Sequence, residues 1–565
     1  MKQLTGAQMV IEALHLEGVK VVFGYPGGAV LHIYDEIYKQ QYFNHILARH
    51  EQGAVHAADG YARASGEVGV AIITSGPGFT NAITGIATAY TDSIPLVVIS
   101  GQVPITQIGT DAFQEIDAVG ISRPCTKHNF LVRDIAELPR ILKEAFYIAR
   151  SGRAGPVLVD IPKDISGTLG SFEYPDSISL QSYKPTIKGN PRQIKKLCEA
   201  IMRSQKPLLY IGGGAILSNA SQSIRELVSH TGIPCVETLL GLGVLAHDDK
   251  HLLGMLGMHG SYGANMAVSE CDLLICLGAR FDDRVTGKLS EFAKYAKIAH
   301  IDVDPSSIGK IVSVDYPIVG DLKHVLADMS LELKSYDPTH TQAWREHLQT
   351  LSKQHPLSYE DSADSIKPQW IIQKLGEHLG DRAIITTDVG QHQMWAAQFY
   401  PFSFPRQFLS SGGLGTMGYG LPAALGAKLA SQDKIIINIT GDGSILMNIQ
   451  ELMTCVAYNI PIISVILNNN YLGMVRQWQS FFYQNRFSHV DLSAQPDFIK
   501  LIESFGGVGF RVEHKDEFSP ALQKAIDSQK VAFIEVMIDR FEDVLPMVPS
   551  GGALHEMILS HKQAE

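Results

Sequence analysis

One carboxylate and one amide sit where two apolar runs end. Gly441-Asp442-Gly443 follows the run KIIINIT, and 24 residues later Asn468-Asn469 closes the run PIISVIL. Apolar runs of this length, bounded by turn residues, read as buried strands, and ligands of open α/β sheets collect at the carboxyl ends of their strands. Two adjacent parallel strands would bring Asp442 and Asn469 to one rim. An Asp carboxylate, an Asn carbonyl and a backbone carbonyl, that of Tyr471, are hard oxygen donors suited to Mg²⁺, which commonly shares its coordination with phosphates. A helix expected over 446–458 would offer free N–H groups to those phosphate oxygens. GDG alone is a common turn and NNN a common polar loop; the spacing and the strand contexts together favour the metal site.

Other residues could do chemistry, each with a plainer reading beside it. Glu51 follows the short strand HILA and opens the helix EQGAVHAADGYA. It is either a proton relay or a favourable partner for the helix dipole. GYPGG at 24–28 allows a close backbone approach to a ligand, or is an ordinary turn. In GMVRQWQSFF, Met474 and Trp478 stand at i, i+4 on one helix face, which by periodicity alone is a core stripe. Arg284 of RFDDR suits bidentate binding of a carboxylate, or belongs to a solvated charged turn. GGGA at 212–215 is on its own a weak signal, often only a strand-end turn.

The elements that must position these residues alternate along the chain. Met9, Val10, Ala13 and Leu14 form a helical stripe stopped at Gly18. VKVVF (19–23), GVAIITSGPG (69–78) and LVVIS (96–100) read as strands, with a helix-like NAITGIATAY (81–90) between them. A polar stretch near 170–195 reads as a linker. PLLYIGGGA (207–215), DLLICLGAR (272–280) and AHIDVD (299–304) begin a second unit, and a second linker is expected over 335–367. AIITTDVGQ (383–391), KIIINITGDGS (434–444), PIISVILNNN (461–470) and AFIEVMID (532–539) form a third. Short apolar strands alternating with helices predict parallel sheets covered on both faces. The expectation is α/β: three consecutive doubly wound parallel-sheet domains over 1–180, 190–340 and 365–540, then a tail over 541–565.

The bulk numbers agree. A chain of 565 residues is too long for one core. With 45% hydrophobic and 19% charged residues, it has the composition of a packed globular protein. A net charge of −11 opposes a nucleic-acid footprint. The six cysteines form no CxxC pair, which fits a reducing cytoplasm. No apolar run reaches the ~18 residues of a membrane span, and the start carries no apolar signal region. A cytoplasmic protein without nucleic-acid or membrane partners is expected.

GDGS…LNNN resembles the thiamine-diphosphate motif of the decarboxylase and carboligase superfamily. More closely, GYPGGAVLHIYD, RHEQGAVHAADGYARASG, TSGPGFTNAITGIATAY, DAFQE, GPVLVDIPKD, LGMHG, RFDDRVTG, SGGLGTMGYGLPAALGAK and YLGMVRQWQ make the chain resemble the catalytic large subunits of acetohydroxyacid (acetolactate) synthases, from about residue 5 to 550. The resemblance implies an enzyme that removes CO₂ from pyruvate and joins the remaining unit to pyruvate or 2-ketobutyrate. This is the first common step toward valine, leucine and isoleucine. The first, middle and last domains would bind the cofactor's pyrimidine, a flavin and the diphosphate.

Residue by residue, the resemblance places Glu51 against the cofactor's pyrimidine nitrogen, with Gly28, Gln114 and Lys163 near the reacting centre or its channel. Thiamine diphosphate would be held by Pro26, Glu51, Asn81, Val389, Gly390, Gln391, His392, Gly415, Met417, Gly441, Asp442, Gly443, Ser444, Asn469, Tyr471, Leu472, Gly473 and Met474. A structural, non-redox FAD would lie against Arg153, Gly212, Gly213, Gly214, Thr238, Leu239, Leu256, Gly257, Met258, His259, Gly278, Ala279, Arg280, Asp302, Val303 and Asp321. Met258, Arg284, Met474 and Trp478 would hold the acceptor. The family also implies a second copy of the chain completing each active site, as a homodimer or tetramer, and a small regulatory subunit. A flavin-free catabolic acetolactate synthase and a pyruvate oxidase are the alternatives. Glu51 disfavours a glyoxylate carboligase. Glu51, Asp442 and Asn469 together disfavour an inactive paralogue.

Overall fold

Strands that carry apolar residues on both faces must be covered on both, and those of this chain are. A computed structural model of the chain describes residues 2–560. It holds three six-stranded sheets, parallel throughout. Leu96–Gln102 and Pro156–Pro162, at the heart of the first sheet, are buried along their whole length. Successive side chains go to opposite faces: Val22, Val70 and Ile72 to one core, Phe23, Ala71 and Ile73 to another.

Numbered within each domain, the first and last sheets share the strand order 2-1-3-4-6-5, whereas the middle one runs 3-2-1-4-5-6. The latter is the order of dinucleotide-binding folds. Ligands of such sheets bind where the order reverses. That crevice lies between Val21–Gly24 and Gly69–Ile73 in the first domain, between Pro207–Ile211 and Leu273–Leu277 in the second, and between Ala383–Thr387 and Ile435–Gly441 in the third. Among the described residues no helix is long and apolar enough to cross a membrane.

The first and third domains share one core. Phe23, Ala71 and Ile73 of one sheet and Ile436, Ile466 and Phe533 of the other belong to the same buried cluster. Helix Glu51–Ser65 and helix Gly420–Ala430 lie between them, crossing through glycines. A Cβ on Gly60 would run into the backbone of Ala423, and one on Gly426 into the backbone of Ala57. Beside the crossing lies a buried polar cluster. Arg63 donates to Asp59 at 2.6 Å and to Asp92 at 2.8 Å, and the Tyr419 hydroxyl donates to Asp59 at 2.6 Å. Asp92 also accepts from the N–H groups of Gly412 and Gly413 at 3.0 and 2.7 Å, which pins that loop to the first domain.

Four expectations need correction. The second linker contains helix Gln342–Gln354. Trp344 and Leu348 are buried on it, and the Trp344 indole donates to the Pro207 carbonyl at 3.1 Å. The helix expected over 446–458 is broken: Asp442–Ile445 is one α-turn, Leu446–Asn448 is 3-10, and Glu451–Ala457 is a separate helix. Of the expected tail, 541–560 is docked. Val548 N–H donates to the Met258 carbonyl at 2.8 Å, Lys288 N–H donates to the Gly552 carbonyl at 2.9 Å, and Leu554 is buried in the middle domain's core; residues 561–565 lie outside the described residues. Finally, the linker expected near 170–195 begins in strand and ends in helix Pro191–Arg203: Leu169–Phe172 pairs antiparallel with strand Lys2–Thr5, closing the first domain's ends on each other.

The glycine crossing predicts that Gly426→Ala, a methyl added against backbone, destabilises by about 1–3 kcal/mol or more. A lowered urea-unfolding midpoint is the expected reading, and an unchanged midpoint would show that the helices have room to separate.

Candidate active site

Three loops leave the carboxyl ends of adjacent strands in the third domain: 388–391, 441–444 and 468–473. They converge closely. A Cβ on Gly473 would strike the Gln391 amide, one on Gly443 would lie 2.9 Å from Leu472, and one on Gly441 would lie 3.0 Å from the His392 ring. Ser444 Oγ donates to the Val389 carbonyl at 3.4 Å. Asp442 and Asn469 are 2% and 5% exposed, so both are withdrawn from water on one rim. Asn469 accepts from the Tyr471 N–H at 3.1 Å and donates to Gln391 at 3.3 Å.

This rim suits a cation and an anion together. Burial pushes the Asp442 carboxyl up to about 6, against the pull of the Gln495 amide and nearby N–H groups. A buried carboxylate facing only amides is undercompensated, and a divalent ion would restore the balance. Among the described residues no cluster of three His, Cys, Asp or Glu side chains could hold a metal. A site of one carboxylate, one amide and one carbonyl therefore needs phosphate oxygens to complete it, as Mg²⁺ commonly does. His392 adds a second indication. Burial pushes its imidazole down to about 3, so it is neutral, and its buried Nε2 has no partner.

Glu51 stands on the first domain's rim as the first residue of its helix, 8% exposed, accepting from Asn81 Nδ2 at 3.0 Å. A Cβ on Gly78 would lie 3.1 Å from its Oε1 and 2.7 Å from the Thr74 methyl, so glycine leaves room for the carboxylate there. Gly28 opens the 3-10 turn Gly28–Val30 two residues after Pro26, with open space around it. Lys163 opens helix Lys163–Gly167, which packs against that turn. Gln114 has φ 61° and crowds Gly76, where a Cβ would lie 2.9 Å from its backbone.

A cavity of about 1730 Å³ lies where all three domains meet. Single-ligand sites span roughly 300–1,000 Å³, so there is room here for more than one small molecule. From the middle domain Gly213, Gly214, Thr238, Leu239, Leu256, Met258, His259, Gly278, Ala279, Arg280, Asp302, Val303 and Asp321 line it, and Arg153 reaches in from the first. Gly212 and Gly257 do not line it. Gly212 lies behind, where a Cβ would strike the Gly278 carbonyl, and Gly257 has φ +105° with its N–H donated to Asn265 at 2.8 Å. Val389, Gly390, Gly415, Met417 and Met474 line the third-domain wall.

The four acceptor candidates meet across this cavity. The Arg284 guanidinium lies 5.9 Å from the Trp478 ring centroid and 4.0 Å from Met258 Sδ, and Met474 shares the wall one helical turn before Trp478. Pro26, Gly28, Glu51, Asn81, Gln114 and Lys163 line no part of it. Nor do Gln391, His392, Asp442, Ser444, Asn469 and Tyr471, so the third-domain rim meets the cavity through Val389, Gly390, Gly415, Met417 and Met474.

Sequence reasoning missed several contributors. Asp388, fully buried, accepts from Gly420 N–H at 2.8 Å and Thr440 Oγ1 at 2.6 Å and fixes the first of the three loops. It ends a strand, so the rule that found Asp442 could have found it. Gln495, which caps Asp442, comes from a loop without periodicity and left no signal.

Three family models match: thiamine pyrophosphate enzyme, N-terminal TPP binding domain, over 4–121; its central domain over 194–329; and its C-terminal TPP binding domain over 388–536. The chain is 49% identical over 570 residues to the acetolactate synthase isozyme 3 large subunit of Escherichia coli (strain K12), covering 99% of each. It is 48% identical to the acetolactate synthase large subunit of Haemophilus influenzae, covering 100% of each. Against the probable acetolactate synthase large subunit of Methanocaldococcus jannaschii the identity is 48%, over 98% of this chain and 95% of that one. The chain belongs to the acetolactate synthase large-subunit family. It is a thiamine-pyrophosphate-dependent enzyme of that type, and the two TPP-binding matches fall on the domains carrying Glu51 and Asp442.

If Asp442 and Asn469 hold a divalent ion, chelation should release thiamine diphosphate from the protein on gel filtration, and added Mg²⁺ should restore retention. Tight retention without any divalent metal would contradict the site.

Proposed function

We propose that this chain is the catalytic subunit of a biosynthetic acetolactate synthase. It decarboxylates pyruvate and joins the two-carbon unit to a second 2-keto acid, pyruvate or 2-ketobutyrate, in the first common step of branched-chain amino-acid synthesis. Membership of the acetolactate synthase family supports the reaction. The observation that carries the acceptor half is the meeting of Arg284, Trp478, Met258 and Met474 on one cavity beside Val389 and Gly390.

Thiamine diphosphate, when bound, supplies the carbanion chemistry. The chain's own residues orient, neutralise and exclude water. Asp442, Asn469 and the Tyr471 carbonyl would hold Mg²⁺ on the diphosphate, with the partnerless His392 nitrogen beside it. Glu51, held by Asn81, would hydrogen-bond the pyrimidine and move its proton. Arg284 would pair with the acceptor carboxylate, and Trp478 would pack on the extra methyl of 2-ketobutyrate. The middle-domain cavity, on a dinucleotide-type sheet, would hold FAD as a structural group. We assign the protein to the cytoplasm. The relatives' large-subunit names support a smaller regulatory partner.

The active unit in this reading is at least a dimer. Glu51 and the cavity are separate within one chain, and a second copy would bring its Glu51 to this chain's Asp442. Glu51→Gln and Asp442→Asn should each lose most activity, about 10²–10⁴-fold for Glu51. Co-assembled, they should recover activity, because one site of each mixed dimer carries both native residues. Sites built within single chains would recover nothing.

Trp478→Ala should lower the preference for 2-ketobutyrate over pyruvate, by at most about 10–200-fold because one methylene is worth roughly 1–3 kcal/mol. Acetolactate formation should persist. A competition ratio unchanged from wild type would remove Trp478 from the acceptor pocket.

A further inference from the structure

The segment delivering Glu51 is paired on one side only within its own domain, where Asn44–Leu47 lies along Val21–Gly24 and Ala48 N–H donates to the Gly24 carbonyl at 3.1 Å. Strand Asn44–Leu47 ends four residues before the glutamate, at the edge of its sheet. Polar backbone groups buried there need partners, and side chains of the third domain supply them. Tyr458 Oη accepts from Leu47 N–H at 2.9 Å. Thr454 Oγ1 donates to the Leu47 carbonyl at 3.4 Å and to Glu451 Oε2 at 2.8 Å. The two Glu451 oxygens accept from Arg49 N–H at 3.0 and 3.2 Å. Residues 451, 454 and 458 are spaced as one helical face, so a single short helix acts as the missing neighbour of the chain leading into Glu51.

Glu451 is the centre of this arrangement. It is fully buried, from a domain other than the one it serves. Burial pushes its carboxyl up to about 7, while Thr454 and the N–H groups of Arg49 and His50 pull the other way. It fills the space beside Gly53, two residues past Glu51, where a Cβ would displace its carboxylate. It also lies nine residues after Asp442, at the start of the separate helix that follows the turn at the candidate metal site.

We propose that Glu451 is a positioning residue for Glu51: its carboxylate, with Thr454 and Tyr458, fixes the backbone from Leu47 to His50 and so sets where the catalytic carboxyl stands. The inference rests on the reading of Glu51 given above. It has a consequence for the dimer. If Glu51 serves a cofactor held by the partner, then segment 442–458 of one chain anchors the diphosphate of one active site and the proton relay of the other.

Two measurements on the full-length protein test this. Backbone amide exchange, followed by mass spectrometry without cofactor, reads the hold itself. Deuterium exchange at C2 of bound thiamine diphosphate reads the relay. Glu451→Ala should speed amide exchange in 47–53 and slow C2 exchange roughly 10-fold or more, short of the roughly 10²–10⁴-fold expected for Glu51→Gln. Glu451→Gln, which keeps one acceptor oxygen, should recover part of both. If Glu451→Ala fails to fold, Thr454→Val and Tyr458→Phe carry the test; Tyr458 is 39% exposed, so losing its hydroxyl spares the core. Wild-type amide protection over 47–53 in the folded variants, or an unchanged C2 rate with protection lost, overturns the proposal. A wild-type C2 rate in Glu51→Gln would instead overturn the relay reading and with it the catalytic half of this inference, leaving amide exchange to judge the hold alone.

Discussion

The whole arrangement depends on how closely helix Gly420–Ala430 crosses helix Glu51–Ser65. The two backbones come together where Gly60 and Gly426 leave no side chain between them. Packing at this density tolerates little displacement, so the first and third domains behave as one body around a shared core. The crossing also explains a feature odd in isolation: a buried Asp59–Arg63–Asp92 cluster reaching between domains. Desolvated charges are costly unless fully paired, and here Tyr419 and the N–H groups of Gly412 and Gly413 complete the pairing. Asp92 thereby holds the stretch that presents Gly415 and Met417 to the cavity.

Around that fused core, three buried carboxylates meet the same problem in different ways. Asp388 is compensated by a backbone N–H and a threonine hydroxyl, and its work is to hold a loop. Glu451 is compensated by N–H groups of a different domain. Asp442 is compensated by the Gln495 side-chain amide and the N–H groups of Gly443 and Asn470. Burial raises all three carboxyls, so their partners and positions distinguish them, not the degree of compensation.

The same physics sets what the sequence could disclose. Asp442, Asn469 and the helix opening at Glu51 were legible because each lies where a strand or helix must end, and such ends leave punctuation in the chain. The three parallel-sheet domains were legible from apolar runs buried on both faces. Helix Gln342–Gln354 was not, because its buried face is reduced to residues such as Trp344 and Leu348 amid a polar stretch. The break at 446–450 has no glycine or proline to announce it. Gln495 and Glu451 act through partners far away in the chain, 53 and 402 residues off, and no local pattern encodes such a contact.

The docked C-terminal segment shows how the proposed acceptor pocket is held together beyond its four candidate residues. Met258 and Arg284 come from the middle domain, Met474 and Trp478 from the third, and the core those domains share is small, with Leu242 and Met255 of the middle domain packed into the third domain's cluster. The segment after Phe541 bridges them. On the third-domain side, Gln477 donates to the Val544 carbonyl at 3.1 Å and accepts from its N–H at 2.9 Å, and buried Arg476 pairs with Asp543 at 2.7 Å. On the middle-domain side, Val548 binds the Met258 backbone, whose own N–H donates to the Arg284 carbonyl at 2.7 Å. One continuous set of bonds therefore runs from the helix of Trp478 to the turn of Arg284. Discriminating a single methylene involves only roughly 1–3 kcal/mol, an energy that a loose wall would forfeit. The segment therefore links the two walls through the side chains of Arg476 and Gln477 on one side and the Met258 backbone on the other, and so contributes to the spacing of guanidinium and indole.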